Sequence, residues 1–211
     1  MHADVVMFIG PSLPAGLRPQ MVECRPPVRR GDLPRLIEQG PVPKHVAIVD
    51  GEFHQHLAVS PREILTLLKL GTTVYGSSSM GALRASELWT YGMVGVGRIF
   101  QMYRDGEIAA DHEVALLYDP ASEVAISEPL ANIRCAVRRL VDEGSLTATC
   151  GGTLIDVAAA LPYQERRYRT IARIASETLH VELEPIVTKL RSHDQKRLDA
   201  LELCTLISRS Q

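Results

Sequence analysis

Along the first half of the chain, apolar residues gather in short runs separated by turn formers. Val5 to Ile9 is a continuous apolar run stopped by Gly10-Pro11, and Val46 to Val49 is a second, stopped by Asp50-Gly51. Runs of this length bounded by turn signals predict buried strands. Thr72 to Tyr75 is β-branched and aromatic and predicts another, with Val22 to Cys24 a weaker one. Between these runs the spacing becomes helical. Asp32 is placed to cap a short helix through Glu38, with Pro34 in its first turn and Gly40 closing it. Ser60-Pro61-Arg62-Glu63 carries the reciprocal capping pattern of a helix start, followed by an apolar face of Ile64, Leu65, Leu67 and Leu68 that ends at Gly71. Gly76-Ser77-Ser78-Ser79 leads into a further helix, Met80 to Trp89. Strand–helix alternation of this kind predicts an α/β fold: an open, mainly parallel sheet flanked by helices, over roughly residues 3–118.

The second half loses the strand signal. Ser127-Glu128-Pro129 opens a helix whose Leu130, Ile133, Val137 and Leu140 share one face, and Gly144 closes it. Further helices are expected within Leu154–Ala160, Tyr163–Leu179 and Asp194–Ser208, while Glu113 to Tyr118 fits a strand or a helix. The expected organisation is an α/β core over residues 1–120 and an all-helical extension over 121–211, which packs on the core or binds a partner. Gly92 to Arg98 superficially resembles a dinucleotide loop, but the third glycine is missing and the stretch follows a helix, so a tight interhelical connection is expected instead.

Composition narrows the function classes without selecting one. With 211 residues, 45% hydrophobic and 23% charged, the chain is ordinary globular material. Its 23 Lys and Arg against 25 Asp and Glu give a net charge of -2, no general reason to hold nucleic acid or an anionic membrane. Cys24, Cys135, Cys150 and Cys204 are widely spaced with no CxxC pair, which argues against a disulfide framework or a structural zinc site. Of these, Cys24 beside Arg25 is the thiol whose ionised form nearby charge would favour. No segment reaches transmembrane length and the first residues lack a basic leader, so a soluble, cytoplasmic protein is expected.

Ligands of an open parallel sheet collect beyond the carboxyl ends of its strands. Three segments end there in polar or glycine-rich sequence: Gly10-Pro11-Ser12, Asp50-Gly51-Glu52 and Gly76 to Gly81. Ser77-Ser78-Ser79-Met80-Gly81 fits a relaxed nucleophile elbow, small residues flanking Ser79 at a strand-to-helix turn. The amides of Met80 and Gly81 would then face an oxyanion. The same serines also suit plain helix capping. Asp50 and Glu52 supply carboxylates for proton handling, and Asp-Gly is equally a turn pair. His54 and His56 lie on one face of an extended stretch. His54 is a candidate base, and with Asp50 or Glu52 the pair is a weak metal pattern, so no metal site is assigned. Arg29 and Arg30, in a stiff loop Arg25 to Asp32, suit a carboxylate or phosphate.

Taken in order, GPSLP at 10–14, RPPVRRGD at 25–32, IVDGEF at 48–53, REIL at 62–65, GSSSMGALRASEL at 76–88, YGMVGVGRIF at 91–100 and HEVALL at 112–117 resemble the TfuA-like core domain. The resemblance covers about the first 120 residues. It implies a partnership with a YcaO enzyme, which phosphorylates a peptide-backbone amide oxygen so that a sulfur nucleophile replaces it, giving a thioamide. TfuA-like proteins are thought to obtain or deliver that sulfur. The ATP and Mg chemistry belongs to YcaO, so no cofactor is expected here. The family's residues fall on Gly10-Pro11-Ser12, Arg29-Arg30-Gly31-Asp32, Asp50-Gly51, Glu63, Ser78-Ser79-Met80-Gly81, Arg84 and Glu87, whereas His112 stands where an acidic residue is expected before Glu113 and His54 and His56 match no family motif.

Two functions follow as expectations. In one, the chain hydrolyses the thiocarboxylate at the C-terminus of a ubiquitin-like sulfur carrier protein. Ser79 is then the nucleophile, Asp50 or Glu52, alone or with His54, handles protons, and Ser12, Arg29, Arg30, Ser78, Met80, Gly81 and Arg84 hold the substrate. In the other, the chain is a noncatalytic adaptor that docks YcaO to its sulfur donor or, through YcaO, to the precursor peptide. A standalone esterase is disfavoured, because the late His180 and His193 lack a matching acid loop.

Overall fold

The computed structural model describes residues 4–53 and 57–209. The apolar runs become the centre of a five-stranded parallel sheet: β1 (Val5–Phe8), β2 (Glu23–Arg25), β3 (His45–Ile48), β4 (Thr73–Ser77) and β5 (Val94–Val96), in the order β2-β1-β3-β4-β5. Parallel neighbours need crossovers. α1 (Asp32–Glu38) joins β2 to β3, α2 (Pro61–Lys69) joins β3 to β4, and α3 (Met80–Leu88) joins β4 to β5. α2 starts as its sequence requires, with Ser60 and Glu63 in a reciprocal capping box and Pro61 in the first turn. The remainder is helical: α4 (Arg98–Arg104), α5 (Leu130–Asp142), α6 (Ala148–Ala160), α7 (Tyr168–Leu179), α8 (Val187–Arg191) and α9 (Gln195–Arg209). Among the described residues, no helix is long and apolar enough to cross a membrane.

The chain forms two compact units, one from residues 1–111 with 196–211 and one from residues 112–195. The sequence pointed to a single division near residue 120. Instead α9 belongs with the sheet, because Ala200, Leu203, Cys204 and Ile207 on its apolar face join Val5, Met7, Ile9, Ala47, Val49, Tyr75 and Val96 in one buried cluster. Alternate residues along the strands, Val6, Phe8, Val46, Ile48 and Val74, are buried on the opposite face. Both faces of the sheet are therefore covered, as an all-parallel sheet demands.

In the second unit the expected α5 face, Leu130, Ile133, Val137 and Leu140, packs with Leu154 and Ala158 of α6, Tyr168, Ile171 and Ala175 of α7, and Val187 and Leu190 of α8. Arg166 is fully buried there. Its Nε donates to the carbonyls of Ala158 (3.0 Å) and Leu161 (3.2 Å), filling acceptors at the end of α6, and its Nη1 donates to the His112 carbonyl (2.8 Å).

Two local expectations are corrected. Gly92 to Arg98 is not an interhelical connection: Val94–Val96 is the fifth strand, pairing with β4 through Tyr75, Gly76 and Ser77. Glu113 to Tyr118 forms neither a strand nor an α-helix, and only a 3-10 turn over Asp111–Glu113 and an isolated bridge from Tyr118 to Ala125 occur there.

Candidate functional site

Strand order reverses between β1 and β3, and polar groups gather beyond the carboxyl ends of these two strands. Register explains the gathering. Phe8 pairs with Ile48 and Ile48 with Gly76, so Gly10, Asp50 and Ser78 each follow two residues after a matched level of the sheet. Asp50 is 3% exposed. Its Oδ2 accepts from the backbone amides of Gly10 (2.9 Å) and Ser12 (3.1 Å), and its Oδ1 accepts from the Ser12 hydroxyl at 2.6 Å. The carboxylate thus organises the whole Gly10-Pro11-Ser12 turn.

A fourth group faces Asp50, and it comes from the far end of the sequence. The ammonium of Lys196, in the first turn of α9, lies 3.9 Å from Asp50 Oδ1, and both side chains are almost completely buried. The sequence did carry a signal for it: Lys196 and Asp199 occupy the same helical face as Ala200, Leu203 and Ile207, so two charges lie on an apolar stripe. Asp199 is also used. Its carboxylate accepts from the first amides of α4, Arg98 (3.0 Å) and Ile99 (2.8 Å), and its carbonyl accepts from the Ser77 hydroxyl (3.0 Å). A side-chain acid therefore fills the helix start where a dinucleotide loop would hold phosphate, and Gly97 (φ 93°) leaves room for it.

The serine turn is tighter than a cap. The Ser79 amide donates to the Ser77 carbonyl at 2.7 Å, closing a three-residue turn whose centre, Ser78, has φ 66°. A non-glycine residue in that conformation is strained, by roughly 1–3 kcal/mol. Two glycines permit the turn: a Cβ on Gly81 would run into the Ile48 carbonyl, and one on Gly76 into the Gly81 carbonyl. The Ser78 hydroxyl is buried and has no hydrogen-bond partner among the described residues. Ser79, the expected nucleophile, occupies the N-cap position of α3 without a side-chain capping bond. Gly81 was expected to lend its amide to an oxyanion, but that N–H donates to the Val49 carbonyl (3.2 Å), which leaves the Met80 amide of the two expected donors.

The remaining expected residues form a second group. Glu52 accepts from the Arg29 guanidinium (3.2 Å), and Arg29 is largely exposed. Glu63 clamps the basic loop to α2: its Oε1 accepts from the Gly31 amide (2.6 Å) and its Oε2 from the Ser60 amide and hydroxyl (2.7 and 2.8 Å). Arg30 donates to the Ala58 carbonyl (3.3 Å), and Arg84 donates to the Val59 carbonyl (2.9 Å) while pairing with Glu87 (2.8 Å). These two arginines line an open cleft of about 310 Å³ together with Phe53, Met80, Leu83 and Asp111. Met80 belongs to both groups, since it lines this cleft and lies two residues from Ser78. A larger groove, about 520 Å³, runs along β5 between α4 and α9 and is lined by none of the expected site residues.

His54 and His56, and with them the base and metal readings, lie outside the described residues. Among the described residues, no three His, Cys, Asp or Glu side chains are gathered to hold a metal ion. Cys24 departs from its expectation, because burial raises its pKa and outweighs the lowering effect of Arg18.

Residues 50–167 match the family model described as TfuA-like protein, somewhat more than half of the chain. That span holds Asp50 and the serine turn but neither Ser12 nor Lys196. No curated protein matches the chain.

Proposed function

The chain belongs to the TfuA-like family, and from that premise we propose that it supplies sulfur to a YcaO enzyme by hydrolysing the thiocarboxylate of a ubiquitin-like carrier. Membership supports a general role in YcaO-associated thioamide formation, and the chemistry is argued from the site. The net reaction is RC(O)S⁻ + H₂O → RC(O)O⁻ + H₂S. It requires a nucleophile, a charge-stabilising donor and a slot for the carrier's tail.

The observation that carries the reading is the Ser78 hydroxyl. It is held at φ 66° just past β4, buried and without a partner among the described residues, at the same end of the sheet as the buried Asp50 carboxylate. A strained backbone that presents an unsatisfied hydroxyl costs stability on both counts, and such costs concentrate at functional sites. The nucleophile is therefore assigned to Ser78 rather than Ser79. Its Oγ attacks the carbonyl carbon, the Met80 amide faces the developing oxyanion, and water then hydrolyses the acyl-serine. Arg30 and Arg84 line the entry cleft and hold the tail's backbone carbonyls, with Arg29 at the rim. Met80, an unbranched and adaptable side chain, swings aside to admit it.

Incubation with a thiocarboxylated carrier tests this, with sulfide and the carrier's intact mass followed together. Wild type releases sulfide as the carrier exchanges sulfur for oxygen. Ser78→Ala falls at least about 1,000-fold, in line with loss of a nucleophile, while Ser79→Ala retains most activity. Equal rates for Ser78→Ala and wild type would exclude the assignment.

One observation favours a second reading. Ser78, Asp50 and Lys196 are all closed off in the free chain, which suits a noncatalytic adaptor that brings YcaO and its sulfur donor together. Catalytic sulfide release by the isolated chain eliminates that alternative.

A further inference from the structure

We infer that Lys196 carries the charge chemistry of sulfide release: its ammonium receives the thiocarboxylate anion and passes a proton to the departing sulfur. The inference rests on the hydrolase reading and adds a residue that neither the family match nor any motif includes, since Lys196 lies beyond residue 167.

The argument begins with the substrate. A thiocarboxylate is an anion, so an incoming serine oxygen meets negative charge, and the group that must leave is sulfide. Neutral donors such as the Met80 amide can stabilise an oxyanion but cannot neutralise this anion or protonate its sulfur. The site needs a fixed cation beyond the strand ends; Arg18 is there but donates to the Gly10 (3.0 Å) and Leu13 (2.9 Å) carbonyls, and the other arginines are held by groups of their own. Arg29 reaches Glu52, Arg30 reaches the Ala58 carbonyl, and Arg84 is tied to Glu87 and Val59. Lys196 Nζ is 3.9 Å from Asp50 Oδ1, and Asp50 and Ser78 each follow two residues after the last matched pair of β3 and β4, Ile48 and Gly76.

Its placement is fixed from both sides. One turn further along α9, Asp199 accepts the Ser77 hydroxyl through its carbonyl and caps α4 with its carboxylate. The helix carrying Lys196 is thereby pinned to the residue that precedes Ser78. Asp50 faces the ammonium in surroundings almost closed to solvent, where a charge acts more strongly than at a surface.

The step balances as follows. A lone pair of Ser78 Oγ forms the C–O bond, and the C–S bond breaks with its electron pair staying on sulfur. The Lys196 ammonium protonates the sulfur, which departs as HS⁻, while the proton of the serine hydroxyl goes to the Asp50 carboxylate, which hands it on to the lysine. The lysine returns to its starting state, and acyl-Ser78 remains for water.

Two substrates on the same carrier separate this role from a structural one: the thiocarboxylate, and a 4-nitrothiophenyl thioester, whose acyl group is neutral and whose leaving group needs no proton. With Lys196→Met, single-turnover release from the thiocarboxylate drops at least about 100-fold, the span of acid–base assistance, while thioester turnover falls at most about 5-fold. Lys196→Arg keeps the charge and retains roughly a tenth or more of thiocarboxylate turnover. A parallel fall on both substrates, or no fall on either, overturns the inference even where wild type is active. If wild type turns over neither substrate, the hydrolase reading fails and takes this one with it.

Discussion

Replacing Lys196 by methionine removes one member of a buried ion pair while keeping most of its aliphatic stem, so the stability change reports loss of the ammonium, its charge and its N–H donors together, rather than loss of packing. At 3.9 Å and an effective dielectric constant of about 20, the Coulomb attraction amounts to roughly 4 kcal/mol. The Asp50 carboxylate retains its three hydrogen bonds from Gly10 and Ser12, but it is left buried beside an apolar chain, a loss of typically 3–5 kcal/mol. The expected cost is therefore about 3–4 kcal/mol. Adding Asp50→Asn should return most of it. The asparagine oxygen accepts both backbone amides, its NH₂ donates to the Ser12 oxygen, and no unpaired charge remains. The double variant is expected within about 1–2 kcal/mol of wild type, a coupling of at least about 2 kcal/mol. Trp89, the only tryptophan, lies in the sheet unit, so urea unfolding followed by its fluorescence reads that unit directly. Lys196→Met should lower the urea midpoint by roughly 1.5–2 M. A loss under about 1 kcal/mol, or a double variant no more stable than the single, would show that the two charges are not coupled and would remove the electrostatic basis of the site.

Further predictions follow from backbone geometry and from burial. Ser78→Gly relieves both the positive φ and the unsatisfied hydroxyl, so it should raise stability by about 1 kcal/mol while abolishing sulfide release; an unchanged or lower urea midpoint counts against the strain argument. Gly81→Ala places a Cβ against the Ile48 carbonyl, which is backbone and cannot swing away, and should cost at least about 3 kcal/mol or prevent folding, as expression and circular dichroism will show. The Cys204 thiol is pushed up to about 11 by burial, with Cys24 adding to the rise. It stays protonated at pH 8 and should resist iodoacetamide until the protein unfolds. The unfolded thiol ionises near its ordinary value and the folded one only near 11, so this group's contribution to stability is intact below about pH 9 and declines as pH rises toward 11. Rapid native-state alkylation of Cys204 at pH 8 would contradict that order.

Parts of this molecule were legible in the sequence because the physics is local. β1 and β3 are unbroken apolar runs, α2 announces itself through Ser60 and Glu63, and the α5 face follows from helical spacing. β5 was hidden because Val94-Gly95-Val96 is three residues long with a glycine at its centre, and its strand character comes from pairing with β4. The three serines are alike in sequence. What separates them is the turn, which aims the Ser77 hydroxyl at α9 and leaves Ser78 at positive φ without a partner among the described residues and Ser79 at the helix start. Lys196 and Asp50 are far apart along the chain, and no local pattern joins them. Only the charges on the apolar stripe of α9 hinted that the helix meets something ionic.

The return of α9 to the sheet has a consequence for biosynthesis. At ordinary translation rates, residues 112–195 occupy the ribosome for roughly 4–17 s after the last strand has emerged and before the first residues of the covering helix follow. Through that interval the apolar flank formed by Val5, Met7, Ala47, Val49 and Tyr75 has no lid. A nascent chain in that condition invites chaperone capture, and whatever chemistry depends on Lys196 stays switched off until elongation has passed it.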